Sequence, residues 1–447
     1  MSEAGAGPVT LSWFGIIRLG LVQTALGAIV VLTTATLNRV MVVELALPAM
    51  LPGALVALHY AVQLTRPRLG YGSDVSGRRT PWIIGGMACL CAGGVLATAA
   101  TVLMATMLWT GIALAILAFV MIGLGVGAAG TSLLVLLAKR TDSKRRAPAA
   151  TIVWLMMIAG FVVTAGVAGA FLDPFSPARL LAVASAVAAI AFVVAVVAVW
   201  GVEGRSAVGP VRGEPEKTPF REALAQVWSE PLARRFAVFV FVSMLAYSAQ
   251  DLILEPFAGS VFGMTPGEST QLSGVQHGGV FVGMVLVGVL GSRFGRQKNG
   301  IMRAWAVGGC IASAMALIGL AVGGLVGPAW PLKTSVFALG VANGAFAVAA
   351  IGSMMGLVSA GRESREGVRM GLWGAAQAIA FGLGGFIGTA AIDLTRNLFA
   401  ADATAYAVVF ALEAVVFLVS GVLAAQVTRN IQDRKPQALS GERLAAI

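Results

Sequence analysis

Residues 66–104 read RPRLGYGSDVSGRRTPWIIGGMACLCAGGVLATAATVLM, a basic glycine-containing loop that runs straight into a long stretch without a charge. An α-helix rises about 1.5 Å per residue, so the ~30 Å hydrocarbon core of a bilayer needs about 20 apolar residues. The part at 82–103 meets that length. The rest of the chain has the same character: of 447 residues, 58% are hydrophobic and 11% charged, where a soluble domain is roughly a quarter charged. In lipid every backbone N–H and C=O must be paired within the segment or around a closed barrel. Barrel strands would be about half as long and alternating, so the runs predict helices. The 56 glycines fit, because small residues let membrane helices approach closely.

Reading outward, apolar stretches between polar breaks predict spans at 14–37, 49–67, 82–103, 111–138, 149–171 and 178–200. A second set follows at 235–257, 270–291, 301–325, 334–358, 368–391 and 403–427. This is an all-α polytopic membrane protein of about twelve helices. Its parts are a six-helix half at 1–200, a linker at 201–234, a second six-helix half at 235–427 and a tail at 428–447. The linker is rich in Gly, Pro and charge, and ends in FREALAQVWSEP, whose Phe220, Leu224, Val227 and Trp228 are spaced for a short amphipathic helix on the headgroups.

A net charge of +11 would suggest nucleic acid in a soluble protein. Here most of the 31 Lys and Arg fall in the loops after spans 2, 4, 6, 8 and 10 and in the tail, which predicts that these loops and both termini are cytoplasmic, with no nucleic-acid partner. The opposite side holds Arg39, Arg179, Lys333 and Arg396. Arg18 lies just inside span 1, where it can snorkel to the headgroups. Trp13, Trp82, Trp109, Trp200 and Trp330, near span ends, read as interfacial anchors. Cys89, Cys91 and Cys310 all lie within spans, with no metal or disulfide spacing.

The chain repeats itself. The loop after span 2 carries Gly70, Asp74, Gly77, Arg78 and Arg79; the loop after span 8 carries Gly288, Ser292, Gly295 and Arg296 at a common offset. At that offset Pro48 aligns with Pro266 and His59 with His277. One residue further, Arg146 aligns with Arg365 and Trp154 with Trp373. The pattern G-x-x-x-D-x-x-G-R-R resembles the loop 2/3 signature of the major facilitator superfamily, repeated more weakly where that superfamily repeats it. It suits a cytoplasmic gate: glycines for a tight turn and close helix contact, Asp74 to cap a helix N-terminus, arginines to pair with acids or phosphates. In the second copy Ser292 replaces the aspartate.

Polar residues inside spans are costly and so informative. Asp251 and Glu255 share a face of span 7, in the outer leaflet and near its edge, with Arg39 at the equivalent end of span 1 as a plausible partner. They suit a proton-coupled switch, a polar anchor for a ligand, or a salt bridge holding the halves together. Glu413 in span 12 is a third acid at membrane depth and a third proton-coupling candidate. The loop GRESREGVR, with Arg362, Glu363, Arg365, Glu366 and Arg369, reads as a solvated turn.

Three segments narrow the resemblance: LNRVMVVEL at 37–45, QDLILEPF at 250–257 and GVQHGG at 274–279. Over nearly the whole chain they resemble the PucC, or bacteriochlorophyll delivery, family of purple phototrophs. The short loop RPRLGYGSDVSGRRTPWIIGG resembles the sister branch found beside the bacteriochlorophyll synthase. That resemblance implies a bacterial inner-membrane or photosynthetic-membrane protein that supplies bacteriochlorophyll, or a precursor, during light-harvesting complex assembly. The synthase and light-harvesting polypeptides would be its partners. Bacteriochlorophyll would be a bound ligand, with no cofactor required. His59, His277, Asn38, Arg39, Gln250, Asp251 and Glu255 are then pigment-binding candidates. A neutral imidazole can hold the magnesium of a chlorin, although either histidine could equally be hydrogen-bonded between helices. An enzyme esterifying the pigment is disfavoured, since no aspartate-rich motif for a magnesium-bound diphosphate occurs. The alternative is a proton-coupled transporter of a small amphipathic solute.

Overall fold

The computed structural model describes residues 10–75, 78–142, 145–203, 225, 228–294, 301–359 and 366–444. Among the described residues every regular element is a helix and there is no strand. The helices of the first half are α1 (Trp13–Glu44), α2 (Met50–Val62, continued by Gln63–Thr65 and Arg66–Val75), α3 (Thr80–Met104), α4 (Leu108–Arg140), α5 (Arg146–Leu172) and α6 (Pro177–Val199). Those of the second are α7 (Pro231–Phe262), α8 (Pro266–Phe294), α9 (Ile301–Val326), α10 (Leu332–Ser359), α11 (Glu366–Leu398) and α12 (Asp402–Leu444). All but α2 are long and apolar enough to cross a membrane on their own. In α2 the apolar part stops at Val62: Pro67 cannot donate to the carbonyl four residues back, and a 3-10 turn at Gln63–Thr65 absorbs the break. The helix then runs on through Gly70 to Val75, so the turn expected at the first glycine lies closer to Arg78. The expected linker and its amphipathic helix fall largely outside the described residues.

Span 1 is longer than its composition predicts. Arg39 and Glu44 were expected outside the helix, yet α1 continues to Glu44 through two wide π turns, Leu32–Thr36 and Val40–Glu44. The Thr33 and Thr34 hydroxyls bond back to the carbonyls of Ile29 (3.0 Å) and Val30 (2.8 Å), which loosens the ladder where the first wide turn begins. The helix can carry a buried guanidinium because Glu44 pairs with it.

Contacts divide the chain into two units: Met1–Arg212 with Ala258–His277, and Gly213–Phe257 with Gly278–Ile447. Within the first unit α3 packs along α4, α1 against α5 and α6, α3 against α6 and α2 against α4. The second unit repeats these pairings. There α9 packs against α10 and α12, α7 meets α11 where Gly384 abuts Leu245, and Phe257 of α7 stacks on Tyr406 and Phe410 of α12. Equivalent residues differ in role: Trp154 is 36% exposed, whereas Trp373 is 1% exposed, edge-on to Phe236 at 4.7 Å with its indole N–H on the Ala233 carbonyl. Ile190, Val193 and Val197 of α6 form an exposed apolar stripe at helical spacing, as a lipid-facing surface requires.

Candidate functional site

His59 lies about 14 Å along α2 from Met50 and His277 about 16 Å along α8 from Pro266, at ~1.5 Å per residue. Their hydrogen bonds are opposite. Nε2 of the buried His59 lies 2.7 Å from the Gln63 amide nitrogen, and Gln63 Oε1 accepts from Arg66. A guanidinium only donates, so the amide oxygen faces Arg66 and its NH₂ donates to His59 Nε2. The proton of His59 is thereby placed on Nδ1, which has no hydrogen-bond partner among the described residues. In His277, Nδ1 donates to the Ser273 carbonyl (2.9 Å), and Phe161 meets the ring edge-on at 4.8 Å.

A second cluster lies at the end of α1, within the first unit. Asn38 and Arg39 are both buried, Arg39 to 2% exposure. The Arg39 guanidinium pairs with Glu44 and donates through Nη2 to the Met264 carbonyl (2.6 Å), just past the end of α7. There Gly263, at φ +67°, turns the chain in a way other residues rarely adopt. Nearby, the Thr36 and Thr270 hydroxyls bond at 3.0 Å. The Asp173 carboxylate accepts from the Thr265 hydroxyl (2.7 Å) and the Gly267 amide (3.3 Å), filling an N-cap role for α8. These bonds place the outer end of α7 and the first half of α8 in the first unit.

In the second unit, Gln250 is fully buried, Asp251 half-buried and Glu255 buried, along one stretch of α7 that ends at Pro256. Neither amide atom of Gln250 has a hydrogen-bond partner among the described residues. Glu413 of α12 is buried and feels the charge of Asp251.

At the basic-loop side the sequence missed Glu203. It is 3% exposed, and its carboxylate accepts from the amides of Arg79 (2.5 Å) and Thr80 (2.8 Å) and from the Thr80 hydroxyl (2.7 Å). Arg140 donates to its carbonyl, while Arg79 Nη1 donates to Ser73 (3.0 Å). Glu203 therefore joins α3, α4 and the end of α6. Burial raises the Glu203 pKa, but these bonds and the nearby Arg78 outweigh it and hold the carboxyl below its ordinary value. The available signal was an acid placed just after span 6 beside two arginine-bearing loops. The cap at the start of α3 is filled by Glu203; the Asp74 side chain, Gly77, Gly295 and Arg296 lie outside the described residues, and Gly288 is exposed on α8. Arg18, expected to snorkel to the headgroups, donates to the Val197 and Trp200 carbonyls (3.2 and 2.6 Å) and closes the end of α6.

The family model described as PUCC protein matches residues 36–431. A relative from Rhodobacter capsulatus, named Bacteriochlorophyll synthase 44.5 kDa chain, is 54% identical over 97% of this chain and 100% of its own length. Protein PucC of Cereibacter sphaeroides is 31% identical, over 89% of this chain and 88% of its own. Among solved structures, peptide transporter POT in complex with alafosfalin matches with a TM-score of 0.70 at 14% identity, covering 95% of this chain and 97% of its own. A bacterial homolog of the human lysosomal transporter Spinster matches at 0.67 and 17% identity, covering 93% and 96%. These two likenesses show the fold, which is of the major facilitator type.

Proposed function

The chain belongs to the PUCC protein family, and from that premise we propose that it is a multi-pass carrier or assembly factor that takes up bacteriochlorophyll and passes it to light-harvesting polypeptides. The observation that carries this reading is full-length similarity to proteins named for bacteriochlorophyll synthase and PucC. It is supported by buried polar side chains inside otherwise apolar helices, which an amphipathic macrocycle could meet. The basic loops and both termini face the cytoplasm of a photosynthetic bacterium, so that pigment arrives from a synthase on that side.

We read the protein as non-catalytic despite the name of its relative. Transfer of a prenyl diphosphate uses clustered aspartates to hold magnesium, and the sequence carries no such aspartate-rich motif. The test is purification from the native membrane with extraction of pigment and identification of bound polypeptides, beside a deletion strain. Co-purified bacteriochlorophyll and reduced antenna levels are expected. A colourless protein and unchanged antenna would overturn the reading.

A second reading, proton-coupled transport of a small amphipathic solute, draws on one observation, the acids Asp251 and Glu413 set within the apolar helices of the second unit, Glu413 buried. Two acids in one apolar surrounding share protons readily. Solute movement in proteoliposomes that collapses a pH gradient, and is lost in E413Q, would favour it.

A further inference from the structure

The duplicated sequence makes His59 and His277 equivalent, but their surroundings do not. A magnesium at the centre of a chlorin leaves an axial position for one neutral donor, and an imidazole fills it with an unprotonated ring nitrogen while its other N–H is held by an acceptor. His277 has this arrangement. Its Nδ1–H is held by the Ser273 carbonyl at 2.9 Å, which leaves the lone pair on Nε2. The His277 residue is partly exposed, whereas His59 is buried with its Nδ1 lacking a hydrogen-bond partner among the described residues. The Phe161 ring, edge-on at 4.8 Å, steadies the imidazole plane.

His59 has the reverse arrangement. The Gln63 amide, oriented by Arg66, occupies the Nε2 lone pair, and the proton left on Nδ1 cannot coordinate a metal.

We propose that His277, and not His59, supplies the axial nitrogen to the magnesium of a bound chlorin, through Nε2. This rests on the reading that the chain handles bacteriochlorophyll, and adds which residue holds the pigment and by which atom.

Purified protein in detergent is titrated with bacteriochlorophyll and, separately, with its magnesium-free counterpart, and the coordination state is read from resonance Raman and absorption bands. Wild type and H59A are expected to prefer the magnesium pigment and to show a five-coordinate, imidazole-bound metal. H277A is expected to lose that signature and at least ~tenfold of the preference, and added imidazole should restore both in H277G. If H277A does not fold, H277Q is read in its place. Retention of signature and preference in the His277 variants, or their loss in H59A alone, overturns the assignment while leaving pigment handling intact. A wild-type protein that binds neither pigment overturns both.

Discussion

Glu203 and Thr80 form a closed pair: one carboxylate oxygen of Glu203 takes both the amide hydrogen of Thr80, at 2.8 Å, and its hydroxyl hydrogen, at 2.7 Å. The acid arrives from beyond the end of α6 and does for α3 what a local N-cap would do, at the positive end of the helix dipole. Replacement by Gln keeps one acceptor and should cost about 1 kcal/mol; replacement by Ala strands two amides and should cost about 2 kcal/mol. Because the folded carboxyl titrates below its ordinary value, its contribution is complete above the unfolded value of about 4.3 and is lost as pH falls through the folded one. Melting of wild type and E203Q in detergent should therefore differ by a constant amount at neutral pH and converge only in acid, as pH falls below the unfolded value and through the folded one. A gap that persists in acid would mean that the charge is not what matters.

Within the first unit, the Asp173 carboxylate and the backbone of α5 leave no room beside Gly267. A Cβ there would overlap Asp173 and the Gly169 carbonyl, and one on Gly169 would lie 2.7 Å from the Gly267 carbonyl and 2.8 Å from Gln271 Cγ. Backbone cannot turn aside as a side chain can. G267A and G169A should each destabilise by about 1–3 kcal/mol, and D173A by about 1 kcal/mol through loss of the cap. Thermal scans of the three variants settle it; a G267A protein as stable as wild type would show that α5 and α8 do not meet this closely.

Arg39 is buried while its partner Glu44 is one-third exposed, 3% against 33% for the side chains. Neutralising the exposed member is the more damaging change, since E44Q leaves a buried cation facing neutral acceptors with no counter-charge from Glu44. The expected order of stability is wild type, then R39M/E44Q, then E44Q, with a coupling of about 1–2 kcal/mol in the double-mutant cycle. Additive losses would show that the pair is not energetically linked. R39K should also fail to restore wild-type stability, because a single ammonium lacks the fork that reaches Glu44 and Met264 together.

What the sequence made legible follows the period and length of its apolar runs. Lipid enforces both, and so the helices and the duplication could be read. Features set by contacts far apart in the chain could not be. Glu203 sits among Gly and Pro, where composition reads as linker, and gains its role only when α6 returns to α3. Arg39 counts as a loop charge until Glu44, five residues on, lets the helix wind past it through a π turn. The histidines look equivalent because duplication keeps residue identity; Gln63 and Arg66, which separate them, act through hydrogen-bond direction that spacing does not encode.

Gln250 offers the sharpest separation of folding from function. Its side chain is fully buried in the second unit, and neither amide atom finds a hydrogen-bond partner among the described residues. An amide withdrawn from water without compensation costs about 1–3 kcal/mol, and Leu is close to it in size. If the residue served packing alone, Q250L would raise the melting temperature of the pigment-free protein and change nothing else. If the amide serves to meet a polar group of the cargo, the same substitution should stabilise the empty protein by about 1 kcal/mol or more and lower the pigment retained on purification several-fold. The second outcome is the one expected, because an uncompensated amide at membrane depth has no structural return. A Q250L protein that is less stable when empty would show instead that the amide is held by the fold.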